Sequence, residues 1–327
     1  MSAAWSGRPV LVTGGVGFIG SNLVLRLVEL GARVMLVDSM LPQYGARIEN
    51  IEPVRDRVHV NFSDVRDRHS LRYLVGGQEV IFSLAGQVSH SESMQDPLTD
   101  LEINCKSQLS LLECCRERNP AAKIVFAGTR QIYGRPRYLP VDETHPCVPV
   151  DVNGINKLAA EMYYTLYHEV HGIDTVSLRL TNTYGPRMDL TSDHKGFAGI
   201  FIRRALRGEK IWLYGSGEQK RDFNHVDDVV EALLLAAATP GLSGRAFNLG
   251  HPRPYSLLEF VDLLRQFATF EVESVPFPPD AAAIDIGDYY GDFGRFRAAT
   301  GWEPRVDLEA GLQQTLAHYR KLEQPDP

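Results

Sequence analysis

The sequence predicts an α/β protein built on an open, doubly wound parallel sheet, with a smaller α/β unit toward the C-terminus. Three observations carry that prediction. Short β-rich runs alternate with segments of helical period, the pattern of parallel strands joined by crossover helices. Several runs, such as VLV, VIFSLA and KIVFA, are apolar almost throughout, as in strands covered on both faces. The first run also delivers a glycine-rich turn, TGGVGFIGS, to the start of a helix.

Taken in order, the strands are expected at Pro9–Thr13, Arg33–Asp38, Val58–Phe62, Glu79–Leu84, Lys123–Ala127 and Thr175–Leu180. Between them, Ser21–Leu30, Asp100–Arg118 and Gly154–His171 read as amphipathic helices. After Leu180 the pattern loosens into TNTYGPRMDLTSDHKG, whose Gly, Pro and Asp mark a boundary. Beyond it lie a helix at Phe201–Arg207, a helix from Asp227, a strand at Arg245–Leu249 and a last helix near Leu308–Arg320. The expected division is a dinucleotide-binding domain over residues 1–180 plus about 224–249. A substrate domain would take 181–223 and 250–327.

Gly14, Gly17 and Gly20 are spaced for a tight turn that lets a pyrophosphate approach the backbone at a helix N-terminus, with Phe18 and Ile19 between them. This is the fingerprint of a Rossmann fold. Asp38 closes the second strand, where a carboxylate accepts hydrogen bonds from both ribose hydroxyls of an adenosine. It would repel the extra phosphate of NADP, and no arginine follows at once, so NAD is the expected cofactor. Asp64 and Val65, just past the third strand, are candidates for the adenine.

Composition narrows the partners. A net charge of −7 argues against a nucleic-acid or anionic-membrane surface. The longest apolar run, Ala232–Ala238, is too short to cross a bilayer, and MSAAWSGRP has no signal-peptide pattern. Cys105, Cys114, Cys115 and Cys147 lack metal-ligand spacing, so no metal is expected and reduced thiols in a cytoplasmic protein are.

Read together, TGGVGFIGS, FSDV, FSLAGQVSHS, EIN, FAGTRQIYG, NGINK, LRLTNTYGPR, RDFNHVDDV and AFNLG resemble, in this order, the extended short-chain dehydrogenase/reductases of the nucleotide-sugar epimerase/dehydratase type. The resemblance runs from Val10 to the GWEP at Gly301–Pro304. It implies bound NAD, a nucleoside-diphosphate sugar as partner, and a homodimer formed through the Asp100–Arg118 and Gly154–His171 helices. It places Leu84, Ala85 and Gly86 along the cofactor and Gln87, Asn182 and Arg221 on the substrate, Asn182 and Arg221 at its diphosphate. It also implies a catalytic trio of Thr129, a tyrosine and Lys157.

The tyrosine is missing. Position 153 carries asparagine, so NGINK keeps the glycine and lysine of the family's YGxSK and loses its phenol. Oxidising a sugar carbinol requires the hydroxyl proton to leave, and a placed acid/base contributes ~10²–10⁴ in rate. Asn153 can hold the reacting oxygen but cannot exchange its proton. Lys157, a water, or His90 of the SHS loop would have to do so. Two further departures bear on the chemistry. Arg130 and Gln131 stand where the dehydratases carry Asp and Glu, so elimination of water loses its catalysts. Ala282 stands where a second phosphate-binding arginine is expected, leaving Arg295 or Arg297 to compensate. Within the family, LAGQV, EIN, KGF and AFNLG look more like the CDP-sugar 2-epimerases than the glucose 4-epimerases. LAxQ is also similar to the UDP-glucuronate 4-epimerases. The leading expectation is therefore an NAD-dependent nucleotide-sugar epimerase with a substituted acid/base. An NAD-binding protein that no longer turns over sugar, acting as sensor or scaffold, is the alternative, and a non-sugar oxidoreductase is a third.

Overall fold

The computed structural model describes residues 2–191 and 196–323. Lys195 of the KGF run lies outside the described residues.

Seven strands form one sheet, in the order Arg245–Asn248, Thr175–Leu180, Lys123–Thr129, Val80–Ser83, Pro9–Thr13, Arg33–Val37, His59–Asn61. Every neighbouring pair is parallel. The period-2 alternation of a strand divides its side chains between two cores. Val10, Val12, Phe82 and Val125 pack into one with Leu23, Leu27 and Val229. Leu11, Ile81 and Ile124 pack into the other with Leu111, Phe126 and Tyr164. This is why the strand sequences are apolar at consecutive positions. The order reverses between Pro9–Thr13 and Val80–Ser83, which both pair from Val10↔Val80 onward. Beyond the carboxyl ends of those two strands lies the crevice where open α/β sheets bind ligands.

The predicted helices are present with shifted ends. The first runs Phe18–Glu29, beginning inside the glycine run. The Asp100–Arg118 prediction is a helical run from Pro97 to Arg118, with a π-helical turn at Glu102–Lys106. The next spans Val152–His171 and is capped by Asp151, whose side chain accepts from Gly154 N–H at 2.6 Å. The helix expected at Phe201–Arg207 starts at Phe197. Several short elements were not expected, among them a helix at His90–Gln95 and one at Leu257–Arg265.

After Leu180 the chain forms small two-stranded pairs, such as Asn182–Tyr184 with Phe223–His225 and Ile211–Tyr214 with Val272–Val275. These pairs and three helices enclose a separate apolar cluster containing Phe201, Phe223, Phe260 and Leu312. Between that cluster and the end of the sheet opens the cavity that concerns function.

Candidate functional site

The cavity has a volume of about 360 Å³ and is lined at one end by the glycine loop and at the other by the ends of the central strands. Of the residues singled out from sequence, Gly14, Gly17, Phe18, Ile19, Gly20, Asp38, Asp64, Val65, Leu84, Ala85, Gly86, Gln87, His90, Thr129, Asn153, Lys157 and Asn182 all line it. Arg221 does not border the described cavity.

At the glycine end the backbone leaves no room for side chains. Gly14 adopts φ +70°, and a Cβ there would stand 3.0 Å from the Ala85 backbone. A Cβ on Gly20 would stand 2.0 Å from Gly14 O, inside any contact distance. The turn therefore presses against the first helix turn and exposes its N–H groups. Asp38 is buried. It accepts from Val16 N–H at 3.2 Å and Met40 N–H at 3.0 Å, which fixes the carboxylate at the cavity wall. Burial pushes its pKa up, against the pull of those two N–H groups. Asp64 is gripped by both nitrogens of the Arg66 fork, so its side chain reaches the cavity already paired. These features fit a dinucleotide: a cradle that only glycine can form, and a rigid carboxylate at the end of the second strand.

At the other end, Lys157 Nζ donates to Ala127 O at 3.2 Å and sits beneath Gly86, where a Cβ would come within 3.0 Å of it. Burial lowers its pKa to about 8, with the charge of Asp100 working the other way. Thr129 Oγ1 accepts from Gln131 N–H at 3.2 Å, which leaves its own O–H free to donate into the cavity.

Asn153 is 2% exposed, and its amide faces three acceptors. Nδ2 lies 2.9 Å from Gln87 O, 3.3 Å from Gln87 Oε1 and 3.1 Å from Asp100 Oδ2. Because all three neighbours are acceptors, the NH₂ must point at them. Asp100 is itself buried and also receives Asn104 Nδ2 at 2.9 Å and Asn156 Nδ2 at 2.8 Å. Three carboxamides thus surround one carboxylate, and Asn153 ties the Gln87 loop to two helices. The π-helical turn swings Asn104 toward the same loop, where it donates to Gln87 O at 2.9 Å.

His90 faces the cavity with its side chain 36% exposed, and its Nδ1 lies 3.0 Å from Asp151 Oδ2. That approach is off the line of a well-formed hydrogen bond. Asp151 is buried and fixed by Gly154 N–H and by Gln131 Nε2 at 2.7 Å. Burial raises its pKa, but His90 and the other donors outweigh it and hold the carboxyl below its ordinary range. Tyr133, the phenol of QIYG, is not among the residues that line the cavity. It is buried against Asn248 and Arg179, and burial pushes its pKa well up.

Arg221, expected at the diphosphate, has its guanidinium engaged within the fold. Arg221 is 6% exposed; its Nη1 donates to Lys220 O and Gly287 O, and its Nη2 lies 3.5 Å from Asp285. Burial and the neighbouring Arg130 charge bring its pKa down to about 10. Arg130 Nη2 in turn donates to Asn182 Oδ1 at 3.2 Å, and its guanidinium lies 5.0 Å over the Tyr289 ring. Arg295 and Arg297 reach Glu143 and Glu303 respectively. The sequence reading passed over Asp100, Asp151 and the positional role of Arg130. Asp151 alone had a local signal, as the acid three residues before Gly154 in a helix-start pattern.

The model of the NAD dependent epimerase/dehydratase family matches residues 10–250. The chain belongs to this family. Among its relatives, the UDP-glucose 4-epimerase of Mycolicibacterium smegmatis is 31% identical, covering 96% of this chain and 99% of its own. The CDP-paratose 2-epimerase of Salmonella typhi is 28% identical over 93% of this chain and 97% of its own. Whole-chain likeness therefore does not single out the CDP-sugar enzymes that the short motifs resembled. The UDP-glucose 4-epimerase of Thermus thermophilus, solved as a complex with NAD, superposes with a TM-score of 0.84. It is 31% identical and covers 96% of this chain and 99% of that one. NAD is the cofactor of this family member, and the glycine cradle and Asp38 are the features of this chain that suit it. Among the described residues no group of three or more His, Cys, Asp or Glu is placed to hold a metal ion. No described helix is long and apolar enough to cross a membrane.

Proposed function

We propose that the protein is a nucleotide-sugar epimerase whose acid/base is not the phenol of its relatives. The observation that carries this is the sharing of one cavity by the glycine cradle and by Thr129, Lys157, Gln87 and Asn182. Binding NAD alone does not require the last two to face the cavity. Bound NAD supplies a hydride acceptor and, once reduced, a hydride donor. The chain's own groups do the rest. Lys157 stands beneath Gly86 to hold the nicotinamide ribose, and Thr129 donates its free O–H to the reacting oxygen. Asn182 lines the cavity, and Arg130, which donates to it, and the neighbouring Arg221 place positive charge behind it that suits a diphosphate. With Arg130 and Gln131 after Thr129, the cavity's carboxylates among the described residues are Asp38, Asp64 and Asp189, so dehydration has no acid beside Thr129.

The substrate class is a nucleoside-diphosphate hexose, and C4 is the first carbon to test because the relatives include UDP-sugar 4-epimerases. The dinucleotide-binding domain comprises 1–180 with 224–249, and the sugar-binding domain 181–223 with 250–327. A homodimer is supported by exposed apolar residues on the two helical segments, Leu98 and Leu101 on one, Ile155, Met162, Leu166 and Val170 on the other. The free state of all four cysteines suits the reducing cytoplasm. The test is to incubate the NAD-loaded protein with a panel of nucleoside-diphosphate sugars and identify products by NMR. An epimer with no net change in cofactor oxidation is expected. A 4-keto-6-deoxy product, or none from any sugar, would defeat the proposal.

A further inference from the structure

We infer that His90 is the acid/base of this site and that Asp151 is its positioning residue. The inference rests on the epimerase reading above. Its basis is that the other candidates are occupied. The Asn153 amide is directed at Gln87 and Asp100, and the Tyr133 hydroxyl is buried between Asn248 and Arg179. Lys157 is held on the Ala127 carbonyl, where the ribose belongs. His90 is the histidine that lines the cavity among the described residues, and its imidazole can both accept and donate a proton.

Its surroundings are built to aim it. The backbone of His90 is held by Ser93, whose Oγ donates to His90 O at 2.7 Å and accepts from Asn153 N–H at 3.2 Å. Asp151 Oδ2 stands at Nδ1, and Asp151 is itself fixed at the helix N-cap and by Gln131. A carboxylate at Nδ1 selects the tautomer with the proton there and leaves Nε2 with a free lone pair. Catalytic hydrogen bonds that are poorly aligned without substrate tighten in the Michaelis complex. Gln131, standing where dehydratases carry a catalytic acid, thus serves here to hold Asp151. The proton balance is simple. Bound NAD would accept the C–H hydride; as the carbinol becomes a carbonyl, its O–H proton passes to Nε2, forming an imidazolium. On return the imidazolium gives the proton back to oxygen as hydride adds to the opposite face, so the enzyme ends unchanged.

The test uses the NAD-loaded full chain. His90→Ala is expected to lower kcat by ~10²–10⁴-fold, with KM and NAD affinity by calorimetry within about threefold of wild type. Added imidazole should restore part of that loss. Asp151→Asn keeps an N-cap acceptor for Gly154 but no charge; its kcat should fall with KM unchanged, and imidazole should not help. ¹⁵N-histidine NMR reads the tautomer independently of turnover, and His90 should carry its proton on Nδ1 in wild type and lose that preference in Asp151→Asn. A proton on Nε2 in wild type, or unaltered kcat in His90→Ala, overturns the inference while leaving the epimerase reading in place. A wild-type chain that epimerises no sugar removes both.

Discussion

The two ends of the cavity are built on different principles. At the cofactor end, backbone does the work: the Gly14–Gly20 turn presents N–H groups, and a Cβ at Gly20 would meet Gly14 O at 2.0 Å. Such a site tolerates almost no substitution, and here it keeps its family pattern. At the other end side chains do the work, Arg130, Gln131 and Asn153 among them. Each of the three is held in a local network: Asn153 with Asp100, Gln131 with Asp151, Arg130 with Asn182. A site made of backbone is fixed by sterics, whereas one made of side chains can be rewired provided every buried polar group keeps a partner.

The sharpest way to break this contrast is Gly20→Val. With backbone oxygen as the obstruction, no rotamer relieves the clash, and NAD binding should fall by more than about 10³-fold or the chain fail to fold. Calorimetric titration of NAD, with circular dichroism for the fold, reads both. Near-normal affinity would show that the turn is less constrained than its contacts imply.

Next in size is a pH effect on the reacting end. Lys157 titrates at about 8 in the fold against about 10.4 in an unfolded chain. Below about pH 8 both states hold the proton and the folded state bears the burial cost. Between about pH 8 and about 10.4 the unfolded chain binds more protons, so stability rises with pH, by roughly 3 kcal/mol in all. Urea unfolding of the NAD-free protein should show this gain relative to Lys157→Met, in which it is absent. A flat difference between the two chains would mean that Asp100 fully offsets the burial of the ammonium.

Asn153 provides a smaller test. Removing its amide leaves Asp100 with two carboxamide donors and Gln87 O with one fewer, so Asn153→Ala should cost about 1–3 kcal/mol of stability. Its kcat should stay within a few-fold of wild type if the asparagine is a network member. Asn153→Tyr, which sequence alone would nominate to restore a lost phenol, should likewise destabilise and give no gain, because the ring must displace the donors of Asp100. A rise in kcat in the tyrosine variant would show that position 153 still addresses the reacting carbon.

The smallest effect concerns cofactor choice. Wild type should bind NAD⁺ more tightly than NADP⁺, and Asp38→Asn should narrow that preference by roughly tenfold, since it removes charge repulsion but keeps the fold around Val16 and Met40. Paired calorimetric titrations measure it, and NADP⁺ preferred by wild type would reverse the assignment.

Local order in this protein was legible where chemistry repeats along the chain. Apolar strands, helical periods and the glycine spacing each act over a few residues, so Pro9–Thr13 and Thr175–Leu180 were found to the residue. The Asn153 substitution was visible too, because a motif fixes what ought to stand there. What Asn153 touches was not visible. Gln87 and Asp100 lie 66 and 53 positions away from it, and no local pattern encodes that a carboxylate on one helix will meet amides from a loop and another helix. Likewise Asp151 announces itself as a helix cap, yet its approach to His90 exists only because the Ser89–Ser93 turn packs against the start of the Val152–His171 helix. Arg221 shows the same limit: its motif is local, but the carbonyl of Gly287 that engages it arrives from a distant segment. Sequence determined the cofactor cradle because steric rules act on neighbours. Tertiary structure decided the reacting end, because there function depends on which buried donors and acceptors the folded chain brings within hydrogen-bonding reach of one another.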